Sequence, residues 1–179
     1  SQFYHGDIAD KKLVPEILKK HQINYIVNFA AESHVDNSIN NPDPFINTNI
    51  VGTYNLLNSA LAHFNNLPQN QKKRFLHIST DEVFGELAET GTFSESYPYN
   101  PSSPYSASKA ASDHLVKAWH RTYNLPILIT NCSNNFGPRQ HKEKLIPAMI
   151  FKALAGEDLT IYGNGKNIRD WIHVDDHNR

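Results

Sequence analysis

Residues 74–79 read Arg-Phe-Leu-His-Ile-Ser, residues 106–123 read Ser-Ala-Ser-Lys-Ala-Ala-Ser-Asp-His-Leu-Val-Lys-Ala-Trp-His-Arg-Thr-Tyr, and residues 126–131 read Pro-Ile-Leu-Ile-Thr-Asn. A short apolar run, a long segment of helical period and a second short apolar run predict a β-α-β unit with parallel strands. The spacing in the helix puts Ala107, Ala110, Ala111, His114, Leu115, Ala118 and Trp119 on one stripe, expected to face inward. The same alternation recurs on both sides. Lys11–His21 reads as a helix with Leu13, Ile17 and Leu18 on one face and Asp10 as its N-cap. Tyr25–Ala30 reads as a strand. Asp43–Phe64 reads as one long helix, because Ile46, Ile50, Tyr54, Leu57, Leu61 and Phe64 recur at helical spacing. Asn65–Lys73 is a polar loop, and Asp81–Pro104 is a long loop of the kind that often carries function. Lys144–Ala155 reads as a helix and Leu159–Tyr162 as a short strand. Strands separated by helices of this length predict the α/β class, with a doubly wound parallel sheet.

Composition narrows the function classes. The chain has 179 residues, with 17 Lys+Arg against 18 Asp+Glu and a formal net charge of -1. That balance argues against nucleic acid or an anionic membrane as a partner, since both favour basic patches. A hydrophobic fraction of 39% and a charged fraction of 20% fit a globular chain rather than a disordered one. No apolar run approaches the roughly 20 residues needed to span a bilayer. The polar start, Ser1–Asp10, reads as folded chain rather than as a signal peptide. The one cysteine, Cys132, excludes an internal disulfide and any multi-cysteine zinc site, so a reducing cytoplasm is the expected setting. Only 8 glycines are present, and none forms a Gly-rich phosphate loop near the N-terminus.

In a doubly wound sheet, ligands collect beyond the carboxyl ends of the strands. The segments there are Ala31-Glu32-Ser33-His34, Thr80-Asp81-Glu82 and Cys132-Ser133-Asn134-Asn135. Tyr105 and Lys109 are four apart at the start of a helix and so share a face. An ammonium beside a phenol favours the phenolate, which can take a proton from a sugar hydroxyl. Asp81 and Glu82 are adjacent carboxylates following an apolar strand, costly if buried without purpose. Competing motifs are weaker. Ser106-x-x-Lys109 fits a serine acyl-enzyme pattern but lacks the partner motifs. His173 and His177 flank Asp175 and Asp176 without a third metal ligand at a usable place, so no metal is expected. Gly163-Asn164-Gly165 lacks the third glycine of a dinucleotide motif and reads as a turn.

Thr80-Asp81-Glu82-Val83-Phe84-Gly85, followed by Pro101-Ser102-Ser103-Pro104-Tyr105-Ser106-Ala107-Ser108-Lys109, resembles the extended short-chain dehydrogenases that modify nucleotide sugars, and within them the 4,6-dehydratase branch. The resemblance runs over nearly the whole chain. It implies a Rossmann-type doubly wound sheet that binds NAD, with the start of a smaller substrate-binding domain. The implied division is 1–143 for the central part of the NAD-binding domain and 144–179 for the beginning of the nucleotide-sugar region. The N-terminal Gly-rich βαβ unit and the remainder of the substrate domain would lie outside these residues. By carry-over, Asp7 and Ile8 meet the adenine side of NAD. Phe29, Ala30, Ala31, Glu32 and Ser33 line the cofactor, Ser33 lies near the sugar, and Thr48 supports that pocket. Asn134 touches substrate, Asn135 lies in the cofactor region, and Lys144, Leu145, Tyr162, Asn164 and Arg169 hold the nucleotide diphosphate. Thr80, Asp81, Glu82, Tyr105 and Lys109 carry the chemistry. The implied substrate is a nucleotide-diphosphoglucose, dTDP-glucose first, and the implied assembly is a homodimer through helices 43–64 and 106–123. Two other readings are a sister epimerase or decarboxylase, against which Asp81-Glu82 argues, and a truncated, non-catalytic binding fragment. The family commonly has Tyr where Phe84 and Phe136 stand here.

Overall fold

Arg74–Thr80 (β2) is the middle strand of a three-stranded sheet, between Tyr25–Asn28 (β1) and Ile127–Cys132 (β3). β1 runs parallel to β2, from Tyr25 opposite Arg74 to Asn28 opposite His77. The Phe75 amide donates to the Pro126 carbonyl at 2.8 Å on the other side. The computed structural model describes all residues except Glu89 and Tyr162. Compactness divides the chain into two units, Ser1–Asn131 and Cys132–Arg179. The division expected at 143/144 was one of role rather than compactness.

Helices cover the first unit's sheet. Leu13–Lys20 (α1) starts two residues later than the sequence suggested, so Lys12 rather than Asp10 is its N-cap, while the Asp10 carboxylate accepts from the amides of Lys12 (2.7 Å) and Leu13 (3.0 Å) just before the helix. Val35–Asn40 (α2) is a short helix that the polar sequence did not announce. The single helix expected over 43–64 is continuous but not uniform. Asp43–Phe45 (α3) and Thr53–Asn65 (α4) flank a π-helical turn, Ile46–Gly52. A π-turn shifts helical phase, so the expected apolar stripe splits: Leu57 and Phe64 are buried while Ile46 and Tyr54 are exposed. The core gathers Val14, Leu18, Leu56, Leu57, Phe64, Phe75, Val116 and Leu125 around β2. Burying a Leu or Phe side chain contributes roughly 1.5–3 kcal/mol.

Pro104–Tyr123 (α5) carries the clearest correction. Its stripe of Ala107, His114 and Ala118 faces outward, and its buried face is Tyr105, Ser106, Ser108, Lys109, Ala110, Ser112, Asp113 and Val116. The inner face is polar because it packs on buried polar side chains of the sheet, which satisfy it. Ala110 of the expected stripe is buried, and Leu115 and Trp119 pack against the core, so apolar periodicity found part of the buried face and missed its polar part.

The second unit holds a parallel pair, Asn134–Phe136 (β4) and Trp171–His173 (β5), with Leu145–Ala155 (α6) and Val174–His177 (α7). β4 and β5 were not expected from the sequence, whereas α7 begins where the polar run His173–His177 reads as a helix start. The strand expected at Leu159–Tyr162 is absent over Leu159–Ile161, and Tyr162 lies outside the described residues. Leu159 and Ile161 are exposed, and no β pairing engages them. An apolar run without a partner strand has no ladder to join.

Candidate active site

β2 delivers Thr80 to its carboxyl end in extended conformation, and the chain turns at once into a single 3-10 turn, Asp81–Phe84. Thr80 caps this turn: its Oγ1 accepts from the Glu82 amide and donates to Asp81 Oδ1, both at 3.3 Å. The two carboxylates are thus half-buried on a pinned turn. Val83 and Phe84 anchor it from below, with Phe84 stacked on Phe93 at 5.3 Å and edge-on to Tyr99 at 5.3 Å. Phe84 is therefore a packing residue here. Gly85 ends the turn at φ +86°, and a Cβ there would collide with the Asn100 carbonyl. Only glycine meets both conditions cheaply.

α5 presents its first two turns to the same end. A reciprocal cap between Ser103 and Ser106, with Pro104 in the first turn, fixes where the helix begins. Tyr105 is therefore placed one residue inside, its amide donating to Ser38 Oγ at 3.1 Å and its ring edge-on to Phe45 at 6.4 Å. One turn on, buried Lys109 extends its Nζ to the Ile78 carbonyl at 2.7 Å. Ile78 lies two residues before Thr80, so the ammonium sits under the strand end that carries the acidic turn.

Asn49, buried in the π-turn, joins the third piece. Its side chain accepts from the Glu32 amide (2.9 Å) and donates to the Glu32 carbonyl (3.0 Å) and to Ser108 Oγ (2.8 Å). Ser108 Oγ in turn donates to the Tyr105 carbonyl at 2.7 Å. The loop Ala31–Ser33 is thereby fastened to the helix of Tyr105 and Lys109. Thr48 beside it is half-buried, while Asp7, Phe29, Ala30, Glu32 and Ser33 are exposed. The structure thus brings Thr80, Asp81, Glu82, Tyr105, Lys109 and the 31–33 loop into one connected arrangement.

Behind them lies a polar network that the sequence reading missed. Asn28 Nδ2 donates to His77 Nδ1 (3.2 Å), so His77 carries its proton on Nε2, which faces Ser112 Oγ (3.3 Å) and Asp113 Oδ1 (3.4 Å). Asp113 Oδ2 accepts from Ser79 Oγ (2.8 Å), Tyr99 OH (2.9 Å) and Asn131 Nδ2 (3.4 Å). Burial holds His77 below the usual imidazole range, aided by the nearby Lys109 ammonium, despite the pull of Asp113. Burial alone would raise Asp113, but His77 at 3.4 Å and the hydrogen bonds from Ser79 and Tyr99 hold it below the usual carboxylate range. Burial and the Asp113 charge push the Tyr99 phenol far upward. The signal that could have revealed this network is the helical recurrence of Ser106, Lys109, Ser112 and Asp113 on one face.

In the second unit, Asn134 begins β4, its amide donating to the Asp170 carbonyl at 3.2 Å. Asn135 Oδ1 pairs with His177 Nδ1 at 2.7 Å, and Asn135 Nδ2 donates to the Ser133 carbonyl. Lys144 stands just before α6 and exposed Leu145 opens it. Leu145 also lines an apolar cavity of about 600 Å³ with Met149, Ile150 and Ile161. Asn164 closes a turn onto the Lys166 amide at 3.1 Å, and Arg169 is exposed. Tyr162 is outside the described residues.

A sequence profile of the GDP-mannose 4,6 dehydratase family matches residues 1–179. The chain belongs to this family. A dTDP-glucose 4,6-dehydratase of Xanthomonas campestris pv. campestris (strain B100) is 59% identical over 177 residues, covering 98% of this chain and 50% of that protein. The dTDP-glucose 4,6-dehydratase DesIV of Streptomyces venezuelae, solved with NAD bound, superposes with a TM-score of 0.91 at 47% identity, over 98% of this chain and 52% of that one. A UDP-glucuronic acid 4-epimerase of Bacillus cereus, also solved with NAD, superposes at 0.87 with 30% identity, over 98% and 52%. The Rossmann-like fold expected from the sequence is thus shared across the dehydratase family and its epimerase neighbours. This dehydratase-family chain spans about half the length of the curated relatives it matches. No helix among its described residues is long and apolar enough to cross a membrane.

Proposed function

We propose that this chain supplies the catalytic half of an NAD-dependent dTDP-glucose 4,6-dehydratase, which converts its substrate to the 4-keto-6-deoxy sugar. One observation carries the reading: the Thr80-Asp81-Glu82 turn stands at the end of the strand whose Ile78 carbonyl is held by Lys109. An epimerase needs a base at the sugar's O4, whereas elimination across C5 and C6 also needs an acid and a second base. The Asp81-Glu82 pair supplies both, which favours a dehydratase over the epimerase that the fold also admits.

The residues present fit NAD. Exposed Asp7 offers a carboxylate to an adenine amino group, and exposed Phe29 and Ala30 offer backbone and apolar surface. Asn49 holds the loop that presents Ser33, and Lys109 brings a positive charge. When bound, NAD takes hydride from C4 and returns it to C6. The chain's own residues move the protons. Tyr105 takes the proton of the C4 hydroxyl, with Lys109 favouring its phenolate and Thr80 holding the same oxygen. The C4 ketone acidifies C5–H, and Glu82 takes that proton and gives it back to C5 when C6 receives the hydride. Asp81 gives a proton to the departing C6 hydroxyl, which leaves as water. These opposite protonation states need environments that separate the two carboxyls, and adjacent positions on a tight turn point them differently. Lys144, Leu145, Tyr162, Asn164 and Arg169 are assigned to the nucleotide diphosphate, Asn134 to the sugar and Asn135 to the cofactor region. Residues 144–179 would thus begin the nucleotide-sugar region. The partner is a second copy through helices 43–64 and 106–123, and the setting is the cytoplasm.

The test is a chimera in which residues 1–179 replace the matching half of the Xanthomonas relative. It should form the 4-keto-6-deoxy product from dTDP-glucose. A folded chimera that binds NAD without turnover would overturn the reading.

A further inference from the structure

We propose that Asp113 is a positioning residue that sets the Thr80-Asp81-Glu82 turn by clamping both of its flanks and the neighbouring strand from beneath. The inference rests on the dehydratase reading for its catalytic consequence, but not for its geometry. Asp113 lies in the middle of α5 and is fully buried. A buried carboxylate is strongly destabilising unless donors surround it. A helix packed on a sheet needs none for its stability, and an apolar residue of similar volume would pack there at lower cost. The donors are therefore informative, because each belongs to a different piece of chain around the acidic turn.

Ser79 Oγ, at 2.8 Å, belongs to the residue directly before Thr80. Tyr99 OH, at 2.9 Å, belongs to the far end of the loop that leaves the turn. Its neighbour Asn100 donates its amide to the Val83 carbonyl at 3.0 Å, so holding Tyr99 holds the exit of the turn. Asn131 Nδ2 reaches Asp113 Oδ2 at 3.4 Å and the Thr80 carbonyl at 3.1 Å, one from each amide hydrogen. One carboxylate oxygen thus ties entry, exit and adjoining strand together. Lys117 Nζ, 2.9 Å from Tyr99 OH and 4.2 Å from its ring centre, extends the clamp outward along the helix. Asp113 touches neither of the acidic side chains it would position; it acts through Ser79, Asn131 and Tyr99. Donors from three segments converging on one buried oxygen restrict the arrangements open to the turn, which is the condition for two neighbouring carboxyls to keep separate roles.

Hydrogen exchange on the 179-residue chain tests the clamp without reference to any reaction. In Asp113→Asn, the amides of Glu82, Gly85 and Asn100 should exchange about tenfold faster, the size expected from losing charge-assisted hydrogen bonds, while α1 and α4 keep their protection. Tyr99→Phe should move the same amides, less far. In the chimera described above, Asp113→Asn should lower kcat about tenfold with KM within about twofold, since misplaced acid and base groups cost turnover rather than binding. Unchanged exchange at the three amides overturns the proposal, as does acceleration spread evenly through α1 and α4, which marks a purely structural role. If Asp113→Asn does not fold, Tyr99→Phe and Ser79→Ala decide, and no local change in either overturns it. A chimera inactive even with Asp113 intact would sink the dehydratase reading and leave the exchange result standing.

Discussion

Glu82 and Asp81 differ by one position and are given opposite work, so the sharpest chemical prediction concerns that pair. Glu82→Gln in the chimera removes the base for C5–H but leaves Tyr105 and Lys109 to oxidise C4. Elimination should fall by at least about a hundredfold, the usual worth of a positioned base, while C4 oxidation stays visible as reduced cofactor at 340 nm, on the order of one equivalent per site. Full dehydratase turnover by Glu82→Gln would refute the assignment. A second residue-scale prediction follows from His77 and Asp113. Both are held below their ordinary values in the folded chain, so the unfolded chain binds more protons as pH falls. Stability is full above the unfolded values and is lost on acidification, from about pH 6.5 downward for His77 and from about pH 3.9 downward for Asp113. Melting temperature should therefore drop between about pH 7.5 and 5.5; a flat profile there would refute it. The acidic turn and the Tyr105–Lys109 spacing were legible in the sequence because their residue types are chemically unusual in series. Asp113 was not legible: a lone Asp in a helix reads as a solvated residue until its partners are brought to it from three distant segments.

At the scale of elements, alternation of short apolar runs with long periodic ones recovered most strands and helices of the first unit. Two failures share one cause. Much of the buried face of α5 is polar, and the phase of the 43–65 helix is broken by a π-turn, so the 3.6-residue pattern of apolar side chains reports only part of what is buried. In both places the departure marks the site: α5 holds Tyr105 and Lys109, and the π-turn holds Asn49. Asn49→Ala removes a buried side chain that makes three hydrogen bonds and leaves the Glu32 backbone and Ser108 without it. The substitution should cost about 1–3 kcal/mol of stability and weaken NAD binding to the chimera about tenfold, because the 31–33 loop loses its tether to α5. Titration calorimetry and urea unfolding measure the two effects. Unaltered NAD affinity in a folded Asn49→Ala protein would show that the loop is held by other means. The short β4 and β5 escaped the sequence reading because three-residue elements carry no period to detect.

For the whole molecule, the part of the stripe that faces outward bears on assembly. The outward residues of α5 include Ala107, His114, Ala118 and Tyr123, with Arg121 and half-buried Lys117 among them. On α4 and the π-turn, Val51 and Tyr54 are likewise exposed. Tyr54 meets Trp119 edge-on at 5.8 Å, and Trp119 meets Tyr123 at 5.6 Å, so the two helices share one aromatic outer surface. Exposed aromatic and aliphatic side chains grouped in this way, rimmed by Lys117 and Arg121, suit a protein contact, and two helices from each of two copies would form a four-helix interface related by a two-fold axis. Sedimentation velocity should show a dimer, and Tyr54→Asp should weaken it at least tenfold by burying an unpaired charge at the centre of the contact, about 1.4 kcal/mol or more. Far-UV circular dichroism should be unchanged, because Tyr54 points away from the core of Leu57 and Phe64. A chain that stays monomeric at every concentration tested would remove the helical face as the interface, and the exposed aromatic pair would then need another partner.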